Sequence, residues 1–175
     1  MRFVPTAIDG IVIVELEVRR DERGGFARTF CGREFAEAGL PFTVVQANLS
    51  LNPICHTLRG MHYQRDPYGE PKIVSCRRGA IWDVAVDVRP DSPTYRQWVG
   101  VELNAEAERM LYMGTGIAHG FLTMVPDTEV DYLMGAPYVA DAAAGLRWDD
   151  PAIGIDWPAA PALISERDAT FPLLG

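Results

Sequence analysis

Apolar residues recur in short runs, alternate with polar ones and are cut by Gly, Pro, Asn or Asp, which is the pattern of an all-β sandwich or barrel. Ala80 to Val88 carries it most cleanly. Trp82, Val84, Val86 and Val88 share one face of an extended chain, and Ile81, Asp83, Ala85 and Asp87 share the other. Gly79 and Arg89-Pro90-Asp91-Ser92-Pro93 bound this strand. Ile11 to Val18 opens as a continuous apolar run and then alternates, Val14, Leu16 and Val18 against Glu15 and Glu17, and reads as an early strand. Trp98 to Leu103, Met110 to Met113, Gly120 to Val125 and Glu129 to Met134 continue the series, with Gly114, Gly116 and Pro126-Asp127 between them. Helical periodicity is found at Arg33 to Ala38, stopped by Gly39. With no repeat or linker, residues 1–175 are expected to form one domain.

Composition narrows the function. A 48% hydrophobic content builds one core, and a net charge of −8 argues against sequence-independent nucleic-acid binding, which needs a basic surface. The first ten residues have no long apolar stretch and no later run approaches a membrane span, so a cytoplasmic chain without a membrane partner is expected. Cys31, Cys55 and Cys76 are odd in number and lack Cys-x-x-Cys spacing, which predicts reduced, structural thiols.

The chemistry concentrates in Thr57-Leu58-Arg59-Gly60-Met61-His62-Tyr63-Gln64 and in Lys72, the one lysine among 16 Lys+Arg positions. Where a chain uses Arg almost everywhere, a retained lysine suggests a compact point charge aimed at one developing oxyanion. Its survival by chance is the competing reading. Arg59 and His62 are three apart, which puts them on opposite faces of a regular strand unless a bulge or bend intervenes. His119, before Gly120-Phe121, is expected at a turn-to-strand junction, either satisfying backbone groups or facing a ligand. Asp83 and Asp87 lie about 13 Å apart along a strand, too far for an acid/base dyad, although a polar barrel lumen is open to Asp83. Tyr132 and Tyr138 are equally compatible with packing. A metal-dependent β-barrel oxygenase would need more ligands than the three histidines provide, and they include no His-x-His pair.

Taken together, the motifs resemble the dTDP-4-dehydrorhamnose 3,5-epimerase family. The likeness runs through Asp21-Glu22-Arg23-Gly24-Gly25-Phe26, Gln46-Ala47-Asn48-Leu49-Ser50, Leu58 to Gln64 and Lys72. It continues through Asp83 to Asp87, Ala118-His119-Gly120-Phe121, Trp148-Asp149-Asp150-Pro151 and Ser165-Glu166-Arg167-Asp168. The resemblance implies a cupin-type jelly roll, a β-barrel or sandwich with a few short peripheral helices, acting as a homodimer without metal or cofactor. It implies His62 as the base, Asp168 as its orienting carboxylate, Lys72 as the partner of the O4 enolate and Tyr132 as the proton donor. Such chemistry is feasible because C3 and C5 of a 4-keto sugar each carry a proton acidified by the carbonyl. Tyr138 resembles the residue that stacks on thymine, and Arg23, Arg59 and Arg167 resemble the nucleotide and phosphate contacts. Gln46, Asn48 and His119 match further substrate positions, with Arg23 and its neighbours reaching the partner subunit's site.

The chain also departs from that family. Arg28 stands where a ligand-contacting Glu is usual, Ala143 where Glu or Asp is usual, and Arg167 where Lys is usual. The Gln46-to-Arg59 spacing is one residue longer, in a loop that carries His56. The reaction class is therefore better marked than the substrate. The expected activity is 3,5-epimerisation of a nucleotide-linked 4-keto-6-deoxyhexose. The alternatives are a C3-only epimerase, one for a differently nucleotide-linked keto sugar, and a non-catalytic carbohydrate-binding cupin.

Overall fold

The computed structural model describes residues 1–174. Its strands are β1 (Arg2–Pro5), β2 (Ile11–Glu15), β3 (Arg19–Asp21), β4 (Gly24–Phe26), β5 (Gln46–Asn52), β6 (Thr57–Gln64) and β7 (Lys72–Arg78). There follow β8 (Ala80–Asp87), β9 (Trp98–Asn104), β10 (Arg109–Met113), β11 (Ile117–Thr123), β12 (Thr128–Met134), β13 (Ala143–Gly145) and β14 (Leu163–Ile164). One main sheet has the order β1-β2-β10-β7-β12-β5 and the other β13-β6-β11-β8-β9, with β14 added alongside β6, while β3 and β4 pair as a separate hairpin. Apart from the parallel β14–β6 pair, the pairing is antiparallel, and the fold is a cupin-like jelly roll.

Three apolar layers explain why several strands read as nearly unbroken hydrophobic runs. Between the sheets, Ile11, Val74, Leu111, Met113 and Val130 of the first pack with Ile81, Ala85, Val101, Leu103, Ile117 and Phe121 of the second. Val12, Val14, Ile73 and Tyr112 turn to the outer side of the first sheet, where Phe35 and Phe42 cover them. Val84, Val86 and Ala118 turn outward from the second sheet, beneath Leu146, Ile153 and Trp157 of the C-terminal segment. Consecutive residues on one strand thus enter different cores. The two faces expected for Ala80 to Val88 are the two faces observed.

Several expected boundaries move. β2 stops at Glu15, short of Val18, because both neighbouring strands end there: Glu15 is registered against Arg2 on one side and Arg109 on the other. β11 begins at Ile117, three residues before the expected start, since Ile117 to Thr123 pairs without a break against Asp87 to Ile81. His119 therefore sits within a strand and not at its junction. The helix α1 (Gly32–Glu37) starts one residue earlier than expected and is followed by Gly39, which takes a positive φ and donates to the Ala36 carbonyl. A second helix, α2 (Glu166–Ala169), carries no periodic signal. Ser165 caps it by accepting from the Asp168 backbone N–H.

Candidate active site

A cleft of about 330 Å³ lies among β5, β6, β7, β11 and β12, with Tyr138, Ala143 and Arg167 at its rim. On β5 the period of two presents Gln46, Asn48 and Ser50 to the cleft. Tyr132 is registered beside Asn48 on one side and Val74 on the other. β6 contributes both Arg59 and His62, which a regular strand would not allow. The register against β11 runs from His119↔His62 to Phe121↔Arg59, so Gly60 and Met61 face Gly120 alone. This bulge turns the two side chains to one side. At Gly60 φ is +129°, and a Cβ would fall 2.5 Å from Gly120 Cα, so only glycine fits.

Each histidine of the cleft is paired with a carboxylate. His62 Nε2 lies 2.8 Å from Asp168 Oδ1, while the Gly60 N–H donates to Asp168 Oδ2 at 3.1 Å. Burial pushes the Asp168 carboxyl up, but the His62 hydrogen bond and charge and the Gly60 N–H outweigh it and hold the group below its ordinary range. An ionised carboxylate only accepts, so Nε2 carries a hydrogen, and it is Nδ1 that bears the lone pair in the neutral ring. His119 Nε2 lies 2.6 Å from Asp83 Oδ1, both side chains being buried. Asp83 therefore takes the polar lumen position and Asp87 does not join it, being bound to Arg89, Ser92 and Thr94.

Tyr132 packs edge-on against His119, ring centroids 5.8 Å apart. Burial, then the Asp83 charge, pushes its phenol far up, with Arg59 opposing, so it stays protonated at neutral pH. The Lys72 ammonium is buried in the cleft wall, 2.8 Å from Glu70 Oε1. Arg59 Nε donates to Asn52 Oδ1 at 2.8 Å. The Arg167 guanidinium lies over the Phe171 ring, whose edge in turn meets His62.

The cleft thus gathers His62, Lys72, Tyr132, Gln46, Asn48, Arg59, His119, Tyr138 and Arg167, with Asp168 behind His62. Arg23 and Arg28 do not line it in this chain. Arg23 pairs with Asp21 on the exposed β3–β4 hairpin, and Arg28 pairs with Glu34 beside the N-terminus. His56 lies in the turn before β6 with φ at 58° and is also outside the cleft. Two contributors had no expected role. Glu70 holds Lys72, and Gln64 accepts from Val139 N–H and donates to the Pro137 carbonyl, which fastens the segment bearing Tyr138. Gln64 at least stood within a recognisable motif. Among the described residues, no three His, Cys, Asp or Glu side chains cluster as metal ligands.

Residues 5–175 match the model of the family described as dTDP-4-dehydrorhamnose 3,5-epimerase. The chain belongs to that family. A dTDP-4-dehydrorhamnose 3,5-epimerase of Sinorhizobium fredii is 42% identical to it over 175 residues, covering 99% of this chain and 90% of the relative. A dTDP-4-dehydrorhamnose 3-epimerase of Streptomyces niveus is 39% identical, covering 99% and 84%. Among solved structures, the 3,5-epimerase of Bacillus anthracis with TDP and pyrophosphate bound superposes with a TM-score of 0.95. It shares 36% identity and covers 99% of each chain. For this epimerase-family chain, the position of Ala143 on the cleft rim is the structural counterpart of its sequence departure: the wall there offers a methyl group and no carboxylate.

Proposed function

We propose that this chain is a cofactor-independent isomerase that epimerises C3 and C5 of a dTDP-linked 4-keto-6-deoxyhexose, of the dTDP-4-keto-6-deoxyglucose to dTDP-4-keto-rhamnose type. The observation that carries the reading is one cleft in which a carboxylate-backed imidazole and a half-buried phenol project from opposite sheets, with an ammonium between them in sequence and in the same cavity. His62 removes the proton α to the carbonyl. The C–H electron pair becomes the C=C bond of an enolate, and the carbonyl pair moves to O4, where the Lys72 ammonium stabilises it. Collapse of the enolate takes a proton from the Tyr132 phenol on the other face of the ring, which inverts the carbon. Asp168 holds the His62 tautomer and stabilises the imidazolium.

Substrate binding follows from the polar rim. The 57%-exposed Tyr138 ring offers a stacking face for a planar base, and Arg59 and Arg167 offer forked donors for a diphosphate. Gln46, Asn48 and His119 would meet the sugar. A homodimer fits the edge strand β5, whose Leu49 and Leu51 are exposed beside the cleft. In such a dimer Arg23 and Arg28 would complete the partner subunit's site, in the cytoplasm. The expected experiment is direct: His62→Ala abolishes solvent exchange at C3 and C5 while dTDP still binds. Full activity in His62→Ala sinks this mechanism.

A further inference from the structure

Lys72 is not a free cation in the cleft wall. Its Nζ lies 2.8 Å from Oε1 of Glu70, with the side chains only 6% and 9% exposed, and both residues line the cleft. Glu70 stands two residues before Lys72, the first residue of β7, and Pro71 between them is packed against Gly135 and accepts its N–H at 2.8 Å. Pro71 also fixes the backbone φ at this point, so the spacing of the two charges is set by the main chain as well as by the side chains. An ammonium buried without a counter-charge is strongly disfavoured, and an unpinned lysine has several rotatable bonds with which to turn away. An ammonium has three N–H donors. One given to Glu70 leaves two for oxygen atoms of a ligand.

We propose that Glu70 is a positioning residue: its carboxylate accepts a hydrogen bond from Lys72 and holds Nζ at the place where the enolate oxygen develops. The assignment rests on the epimerase reading above, and it adds a residue that acts through Lys72 without touching the reacting atoms. Because an oxyanion-stabilising donor is effective only when it is already aimed, loss of the acceptor lowers the rate of proton removal more than the affinity for substrate.

The test is a double-mutant cycle on the full chain, with dTDP-4-keto-6-deoxyglucose as substrate. Glu70→Ala is expected to lower kcat by about 10- to 100-fold with KM within about threefold of the parent, and Glu70→Gln, which retains an acceptor oxygen, falls between them. In a Lys72→Met background, Glu70→Ala has no further effect. A kcat within about twofold of the parent in Glu70→Ala overturns the proposal, as does an equal loss in both backgrounds. Should Glu70→Ala fail to fold, Glu70→Gln carries the same cycle. Lys72 being the only lysine, protein labelled with [15N]lysine has a single Nζ resonance, absent in Lys72→Met. That resonance is expected to shift and exchange faster in Glu70→Gln, and an unchanged resonance overturns the proposal. If the parent exchanges no substrate proton, the epimerase reading itself has failed, and the Nζ resonance then decides the Glu70 contact alone.

Discussion

Asp168→Asn removes one charge and almost no volume, which isolates what the carboxylate does. In the parent its two oxygens divide the work, Oδ1 to His62 Nε2 at 2.8 Å and Oδ2 to the Gly60 N–H at 3.1 Å. Asn has one acceptor oxygen, so either His62 or Gly60 loses its partner. A hydrogen bond to a charged group contributes about 1.5–3 kcal/mol. Because the His62 side chain is 42% exposed, screening by water favours the lower half of that range, about 1.5–2 kcal/mol. At 1.4 kcal/mol per tenfold, kcat falls about 10- to 30-fold from lost imidazolium stabilisation alone, and further if the amide NH₂ faces His62 and selects the other tautomer. KM should stay within about threefold, since the proposed nucleotide contacts, Tyr138, Arg59 and Arg167, are side chains other than Asp168 and His62. The assay is the steady-state rate on dTDP-4-keto-6-deoxyglucose, with dTDP binding measured in parallel. An Asp168→Asn protein with kcat within about twofold of the parent would refute the dyad, because no arrangement of one amide reproduces both hydrogen bonds.

Other perturbations reach different parts of the molecule. Tyr132→Phe should slow inversion more than proton removal, read as deuterium washing into recovered substrate faster than product forms. Gly60→Ala places a Cβ 2.5 Å from Gly120 Cα and 2.9 Å from the His119 carbonyl at a φ of +129°, so the melting temperature should fall steeply or the protein should fail to fold. An unchanged melting temperature would contradict the bulge geometry. Asp87 has its carboxyl held far below the ordinary value: burial raises it, but the hydrogen bonds from Arg89, Ser92 and Thr94 prevail. A carboxyl depressed on folding contributes stability that is present above its unfolded value near 3.9 and is lost as pH falls toward the folded one. Asp87→Asn should therefore lower stability at pH 7 and flatten its decline below about pH 4, as measured by denaturant midpoints. A parallel decline in both proteins would show that Asp87 is not linked to acid unfolding.

Strands whose faces both meet apolar layers, such as β8 and β10, were legible because alternation or near-continuous apolarity survives in their sequences. β5 and β6 were less so. Gln46, Asn48, Arg59 and His62 give the cleft its polar wall and thereby blur the strand pattern that carries them. The joint placement of Arg59 and His62 depended on a bulge, which spacing could name as a condition but not establish. Asp168 reaches His62 across 106 residues from a four-residue helix, and no periodicity marks so short an element. Its role was legible through family resemblance alone. Lys72 stood out by its uniqueness, whereas Glu70 did not, because a side-chain ion pair across one proline leaves no trace in hydrophobic patterning. Arg23 and Arg28 belong to neither class: their place outside the cleft of their own chain becomes functional only in the proposed dimer.

Double epimerisation requires that this cleft exchange two substrate protons and invert the two carbons that bear them. Incubation with dTDP-4-keto-6-deoxyglucose in D₂O, with deuterium located by NMR and counted by mass spectrometry, tests it most directly. Deuterium is expected at both C3 and C5 with inverted configuration. Label and inversion at C3 alone would contradict the double epimerisation and assign the single-carbon reaction, and no label at either carbon would contradict the claim outright.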